Sequence, residues 1–261
     1  MISLIIPSLN QGKYISATID SILSQNNLPI EIIVMDGGST DNTLEILKSY
    51  KTMIKWTSEK DDGQSDAINK GLMMASGDIL GYINSDDYLL PGSLESIMRA
   101  FEDRGTLWVS GDALIVDEKD RVIQRGVSFY KKILRSFSAD KFIYLTNVFI
   151  QPSTFWRRSV FDKIGLFDPN LHYTMDYDYW FRILKIGKPK ILNQALSAFR
   201  IHSESKGGVK FRQQIQEEMM MLKRYTNSKS VFTFHHLHSK FIEWSYGLLK
   251  DRKFKNTPSN L

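Results

Sequence analysis

The chain has 261 residues, 42% of them hydrophobic and 12% aromatic, which is enough to bury one substantial core. It has no cysteine, so disulfide scaffolds, thiolate zinc sites and cysteine nucleophiles are excluded, and a reducing compartment is expected. The formal net charge of +5 is carried entirely by the C-terminal part: residues 200–261 hold 12 Lys/Arg against 5 Asp/Glu, and the first 199 hold 22 against 24.

Strand and helix patterns alternate through the first hundred residues, the signature of a parallel sheet covered by helices. Ile2 to Ile6 is a short apolar strand stopped by Pro7, and Lys13 to Ser24 places Ile15, Ile19, Ile22 and Leu23 at helical spacing. Ile30 to Met35 is a second buried strand, followed by the turn Asp36 to Asp41 and a helix over 42–50. Ile54 to Ser58 is a third strand, and Asp61-Asp62-Gly63 turns into a helix over 65–75 that Gly77 ends. Ile79 to Ile83 is the fourth, with Asn84-Ser85-Asp86-Asp87 leaving its C-terminal end. Pro91 opens another helix with Leu94, Ile97, Met98 and Phe101 as its apolar stripe. Leu107 to Val116 and Arg121 to Gly126 alternate like an antiparallel pair, so the second half is expected to be mixed. Residues 128–150 receive no assignment. A helix over 176–186 and a strand over 190–201 follow, then a basic, aromatic tail.

Three polar clusters each follow an apolar strand: Pro7 to Asn10, Asp36 to Asp41, and Ser85 to Asp87. Strand-end carboxylates in a parallel sheet converge on one edge, where ligands bind in open α/β folds, so the recurrence implies one shared site to which the third strand adds Asp61 and Asp62. Adjacent carboxylates there suit a hard divalent cation, because Mg²⁺ or Mn²⁺ is usually held by one or two protein carboxylates while substrate phosphates complete the shell.

Over residues 1–95, the order and spacing of these motifs resemble the inverting glycosyltransferases of family 2, which have the GT-A fold. The carrying segments are Ser3 to Asn10, Ile22 to Gln25, Glu31 to Asp41, Asp62 to Gly71 and Ser76 to Asp87. A thinner likeness runs through Gln151 to Phe155 and Met175 to Trp180 to about residue 205. The resemblance implies an α/β, Rossmann-like mixed sheet with helices on both faces. It implies Asp87 as metal ligand, Asp86 as partner to ribose or metal, and Pro7, Ser8 and Asn10 in the first nucleotide-contacting loop. Asp36 matches the first acid of a motif that usually has two; the second here is Gly37, so base reading falls to Asp36 or to a residue of the Glu59–Asp62 turn. Asp62, Asp66, Asn69 and Ser85 complete the expected donor pocket. The acidic motif opening a late helix matches Asp176, the favoured catalytic base, with Asp178 as the alternative or as a charge satisfying the helix dipole. His202 is a candidate third metal ligand, with the segment up to Gly207-Gly208 as a flexible closure over the donor. His235, His236 and His238 read as part of the basic tail, with no acidic partner near.

The expected activity is single-displacement transfer of a sugar from a nucleotide-diphosphate sugar, UDP-linked by family habit, to a carbohydrate or lipid-linked acceptor, with Mn²⁺ or Mg²⁺ as cofactor and no nucleic acid as partner. Residues 1–205 form the catalytic domain, 1–100 binding the nucleotide sugar and 101–205 the acceptor; residues 206–261 form a basic, aromatic helical extension. Two other classes use similar carboxylates: sugar-phosphate nucleotidyl transfer, whose Gly-rich basic loop Ser8 to Lys13 lacks, and non-catalytic carbohydrate or nucleotide binding. With no basic leader and no apolar run of roughly 20 residues, the chain is expected in the cytoplasm. The tail is expected either to rest on the inner face of the plasma membrane or to be a solvated basic face.

Overall fold

The computed structural model describes residues 1–25, 28–203 and 211–255. One sheet runs through the whole molecule. Its first half is the parallel set β3 (Lys55–Ser58), β2 (Ile30–Asp36), β1 (Ile2–Ser8) and β4 (Ile79–Tyr82), in that spatial order. These strands read as apolar runs because both faces are covered: Leu4 and Ile6 pack on one side with α1 (Ile15–Leu23), and Ile5 packs on the other with α3 (Gln64–Met74). Helices α2 (Thr43–Ser49) and α4 (Ser93–Ala100) share the α1 face.

β1 does not stop at Pro7. It continues to Ser8, paired with Asp36 on β2. Ser8 accepts from the Gly37 N–H on the β2 side, and Ile5 accepts from Ile83 on the other; Pro7 shares the alternation of Ile5, so its missing N–H points to where the β4 pairing has ended and costs no ladder bond.

Beyond β4 the sheet is mixed, as the alternation predicts. β8 (Thr154–Arg157) pairs antiparallel with β4 and with β6 (Trp108–Val116). β6 runs parallel to β9 (Lys190–Arg200), and the short β5 (Tyr88–Leu89) pairs antiparallel with β9 at the edge. The hairpin partner of β6 is only β7 (Val122–Ile123), because Gln124 takes a left-handed conformation (φ 51°) and leads into a helix. That helix, α5 (Arg125–Phe142), fills the unassigned stretch; it is broken at Ser138, which leaves helical geometry (φ −169°, ψ 75°). Helix α6 (Arg158–Ile164) follows β8.

Helices α7 (Met175–Leu184), α8 (Phe211–Leu222) and α9 (Lys229–Lys255) complete the described chain. The boundary expected at residue 205 does not separate two cores: Met221 and Leu222 on α8 are fully buried in the cluster that holds Trp156 and Trp180. Asp178, expected as an alternative base, faces this helical layer. Its buried carboxylate pairs with Arg182 at 2.9 Å and accepts from Tyr225 Oη at 2.7 Å, with Arg224 at 3.4 Å. That expectation is corrected: Asp178 ties α7 to the turn after α8. The Gly207-Gly208 segment lies outside the described residues.

Asp178→Ala should lower the unfolding free energy in urea titrations by about 2 kcal/mol, the order expected when a buried acceptor is removed from partners that water still partly reaches. Unchanged stability would show that this network does not hold α7.

Candidate active site

Parallel order brings the C-terminal ends of β1 to β4 to one edge. There a cleft of about 460 Å³ is lined by Pro7, Ser8, Asp61, Asp86, Asp176 and His202, among others. A larger hollow of about 610 Å³ lies on the outer side of α3, walled by Met35, Met73 and Met74. It contains none of the β1 or β4 strand-end groups, which gather at the smaller cleft.

The loop after β4 is pinned from below. Thr18 on α1 donates to the carbonyls of Ser85 (2.9 Å) and Asp87 (2.6 Å). Asp87 is fully buried; it accepts from the Arg200 backbone N–H at 2.8 Å and from the Asn84 amide at 3.2 Å. Burial, and then the charge of Asp86, push its carboxyl well above the usual carboxylate range despite those donors. Ser85 and Asp86 line the cleft, and Asp87 stands behind them. Asp86 Oδ2 lies 2.9 Å from His202 Nε2. Adjacent corners of an octahedron with bonds of 2.0–2.1 Å are about 3 Å apart, so this pair fits two neighbouring positions around a hard cation. Among the described residues no group of three or more His, Cys, Asp or Glu side chains is assembled as a complete shell. His202 is held against Tyr14, the ring centroids 4.8 Å apart and the planes tilted by 35°. Arg200, missed in the sequence, is sandwiched between Tyr14 and Tyr88, donates to the Asp86 carbonyl at 2.8 Å and pairs with Asp120 at 2.7 Å.

The other strand-end residues divide sharply. Pro7 and Ser8 line the cleft, and the Ser8 hydroxyl is buried with no hydrogen-bond partner among the described residues. Asp36 does not face it: its carboxylate is consumed by the turn it begins, accepting from Gly38 N (3.1 Å), Ser39 N (2.9 Å), Ser39 Oγ and Ser58 Oγ (2.7 Å). Asn10 latches the first loop to the second, its Oδ1 accepting from Thr40 N at 2.8 Å and its own N–H donating to Ser39 Oγ at 2.7 Å. Asp62 is exposed, and its neighbour Asp61 takes the place on the cleft wall.

Helical phase removes two more expected donor ligands. Gln64 and Ala67, three apart on α3, face the cleft, whereas Asp66, Asn69 and Lys70 face the outer hollow. Asp66 pairs with Lys70 at 3.1 Å. Asn69 clamps the Phe167 backbone, donating to its carbonyl at 2.9 Å and accepting from its N–H at 2.8 Å. Both expectations are corrected to structural roles.

Across the cleft, Asp176 stands in the first turn of α7 and accepts from Asn147 Nδ2 at 3.0 Å and from the Tyr177 N–H at 2.7 Å. Burial of the carboxyl pushes it up to about 6, against these donors and the Lys131 charge. The side chain remains half-buried, so cleft water moderates the rise. Tyr82, fully buried on β4, is raised by burial and then by the charges of Asp176 and Asp87, which places both carboxylates within electrostatic reach of one ring. The loop leading into α7 is fixed by Glu217 of α8. Its carboxylate accepts from the backbone N–H groups of His172 (3.1 Å), Tyr173 and Thr174 and from the Thr174 hydroxyl (2.8 Å each). Asn147 and Glu217 carried no signal in the sequence, lying in an unassigned stretch and in the tail. His235 also departs from expectation, with Glu218 at 3.1 Å as an acidic partner.

Against known proteins, the profile described as Glycosyl transferase family 2 matches residues 3–165, covering Asp86 and Asp87 and ending before Asp176. An uncharacterized glycosyltransferase of Rickettsia typhi is 31% identical over 210 residues, 77% of this chain and 64% of the relative. The chain therefore spans somewhat less than two thirds of that protein's length. A PGL/p-HBAD biosynthesis glycosyltransferase of Mycobacterium bovis is 30% identical over 200 residues, 74% of this chain and 73% of the relative. Among solved structures, S. aureus TarS 1-349 in complex with UDP-GlcNAc has a TM-score of 0.67 at 18% identity, covering 87% of this chain and 67% of that one. The mannosyltransferase PcManGT from Pyrobaculum calidifontis, in complex with GDP-Man and Mn²⁺, has a TM-score of 0.69 at 18% identity, covering 91% and 68%. These likenesses establish the GT-A fold, and the extent of the profile match together with the sheet order shows that the chain belongs to glycosyltransferase family 2.

Proposed function

We propose that the chain is an inverting glycosyltransferase that moves a sugar from a nucleotide-diphosphate sugar, UDP-linked in the leading case, to an acceptor hydroxyl during synthesis of a bacterial surface polysaccharide or lipopolysaccharide. The observation that carries this reading is the opposition, across one cleft, of the Asp86–His202 pair and a carboxyl at Asp176 raised to about 6. The first end suits a diphosphate and its cation; the second suits proton removal near neutral pH. The complexes of TarS with UDP-GlcNAc and of PcManGT with GDP-Man and Mn²⁺ support a nucleotide-sugar donor and a divalent cation. The mycobacterial relative, named for PGL/p-HBAD biosynthesis, supports a glycosyl transfer in a biosynthetic role.

Asp176 takes the proton from the acceptor hydroxyl, whose oxygen attacks the anomeric carbon from the side opposite the departing diphosphate, so the anomeric configuration inverts. Asn147 holds the carboxylate and favours its charged form. Asp86, His202 and, behind them, Asp87 are the residues that would hold Mn²⁺ or Mg²⁺. Bound there, the ion would neutralise charge on the leaving diphosphate. Asp178, paired with two arginines, has no part in this chemistry.

The acceptor side adjoins α5 and α9. Lys131 on α5 and Glu218 on α8 both act on the Asp176 charge, and His235 on α9 pairs with Glu218. On these helices Phe129, Phe137, Phe234 and Leu237 are exposed, and the tail carries the basic excess. A lipid-linked acceptor at an anionic membrane face fits this combination, with the protein lying on the surface; no helix of the described residues is long and apolar enough to cross a membrane.

Asp176→Asn should reduce transfer about 10²- to 10⁴-fold with donor binding retained; full turnover, or product with retained anomeric configuration, contradicts the mechanism. Because the base must be ionised, wild-type kcat/KM should fall as pH drops below about 6, the value burial sets for Asp176, and level off above it. Asn147→Ala removes a donor to the charged form, so it should move that limb to higher pH. Mn²⁺ with UDP should raise the melting temperature of the wild type by mass action, and Asp86→Ala or His202→Ala should abolish the metal-dependent part; an equal shift in both variants removes them from the metal site.

A further inference from the structure

β3 stands at one end of the strand order and, among the described residues, pairs with β2 alone. Which of its backbone groups are spent is fixed by parity. Glu59 N–H donates to the Asp36 carbonyl at 2.9 Å, so Thr57 and Lys55 also turn their backbone groups toward β2, and the N–H and C=O groups of Trp56 and Ser58 point away from the sheet. Such a row is a template for another chain. A second copy of the same strand, laid antiparallel about a two-fold axis through Thr57, sets Trp56 opposite Ser58 and Lys55 opposite Glu59, each twice. The Trp56–Ser58 pairs then exchange both of their N–H···O bonds, and the Lys55–Glu59 pairs fall where cross-strand side chains come closest. Backbone parity and charge select the same register. Lys55 and Glu59 have side chains 60% and 55% exposed, each paired now within its own chain, Lys55 with Glu31 and Glu59 with Lys70, and both are free to extend across the edge.

The surface beside the edge fits the same occupant. Thr57 and Glu59 belong to the wall of the 610 Å³ hollow outside α3, which Met73 and Met74 also line while 70% and 46% exposed. An axis through Thr57 brings the hollows of two copies together, so apolar surface left open in one chain meets the same surface of the other. We propose that the chain associates as a two-fold dimer through β3, the two sheets joined into one, with Lys55 of each copy against Glu59 of the other. Strand direction reverses across the axis, so the clefts at the C-terminal ends of β1 to β4 open at opposite edges of the joined sheet and neither blocks the other. The inference is independent of the nucleotide-sugar reading.

Sedimentation of the full chain through a dilution series should show a species of two chains that dissociates on dilution. Glu59→Lys sets like charges against Lys55 on both sides of the axis and should raise the dissociation constant about 10- to 100-fold. Thr57→Lys, which opposes two ammonium groups on the axis itself, should act in the same direction. Because the chain has no cysteine, Thr57→Cys carries a single thiol, and mild oxidation should join two copies there, where opposed Cβ atoms stand close enough for a disulfide. Ser49→Cys, exposed on α2, should link far more slowly. A wild type that stays a single chain at every concentration overturns the proposal. So does a dimer left intact by Glu59→Lys and Thr57→Lys with melting temperatures near wild type, since another surface then holds it. Thr57→Cys linking no faster than Ser49→Cys overturns it as well, and that comparison decides alone should a charge variant fail to fold.

Discussion

Gathering carboxylates at one buried edge of a sheet costs desolvation and mutual repulsion, and the parallel order of β1 to β4 imposes that gathering. Each acid here has its own answer. Asp36 is neutralised by backbone and hydroxyl donors of its turn. Asp87 has the Arg200 N–H and the Asn84 amide. Asp86 has His202, and Asp178 has arginines and a tyrosine on the helical side. Asp176 has two neutral donors and the Lys131 charge without an ion-pair contact among the described residues, so burial dominates and its carboxyl rises toward neutral pH. Asp87 shares that upward shift, so what sets Asp176 apart is its place on the cleft wall, where Asp87 has none.

The compensating groups come from the far half of the chain. β9 delivers Arg200 and His202 to the Asp86-Asp87 loop, and it can do so because it pairs with β6 on one side and with β5, which directly follows that loop, on the other. Tyr14, from the loop before α1, then holds both side chains, its ring tilted against His202 and facing the Arg200 guanidinium. The loop after β1, the loop after β4 and the end of β9 are thereby fastened into one corner of the cleft, whose rigidity is a packing property rather than a property of the Asp-Asp dipeptide.

Much of the first hundred residues was legible because apolar runs of two-sided burial leave a plain pattern, as in Ile2 to Ile6 and Ile30 to Met35, and because Asp86, Ser85 and Ser8 fall at the ends of such runs. What failed was finer than an element. Asp66 and Asn69 lie on a helix that was read correctly, yet a phase difference turns them to the outer hollow while Ala67 faces the cleft. Asp36 looked like a ligand because nothing local announces that its lone pairs are taken by Gly38, Ser39 and Ser58. Asn147 and Glu217 act across 29 and 43 to 45 positions of sequence, contacts that no local periodicity records. The α5 stretch was illegible because its helix is interrupted at Ser138 and its apolar residues split between core and surface.

Asp176 and Asp178 show how a local fact acquires meaning from packing. Two positions on a helix are about 200° apart around its axis, so one must face the cleft and the other the layer behind. Which is which depends on α8. Glu217 binds the backbone of residues 172–174 and sets where α7 begins, while Tyr225 and Arg224, just past α8, hold Asp178 from behind. These contacts fix the rotation of α7 about its axis, and with it the direction of the Asp176 carboxyl. A chain ending before α8 would keep the strand-end carboxylates and lose the constraint that aims Asp176, the proposed base, so the C-terminal helices shape the candidate site even though none of their carboxylates lines the cleft.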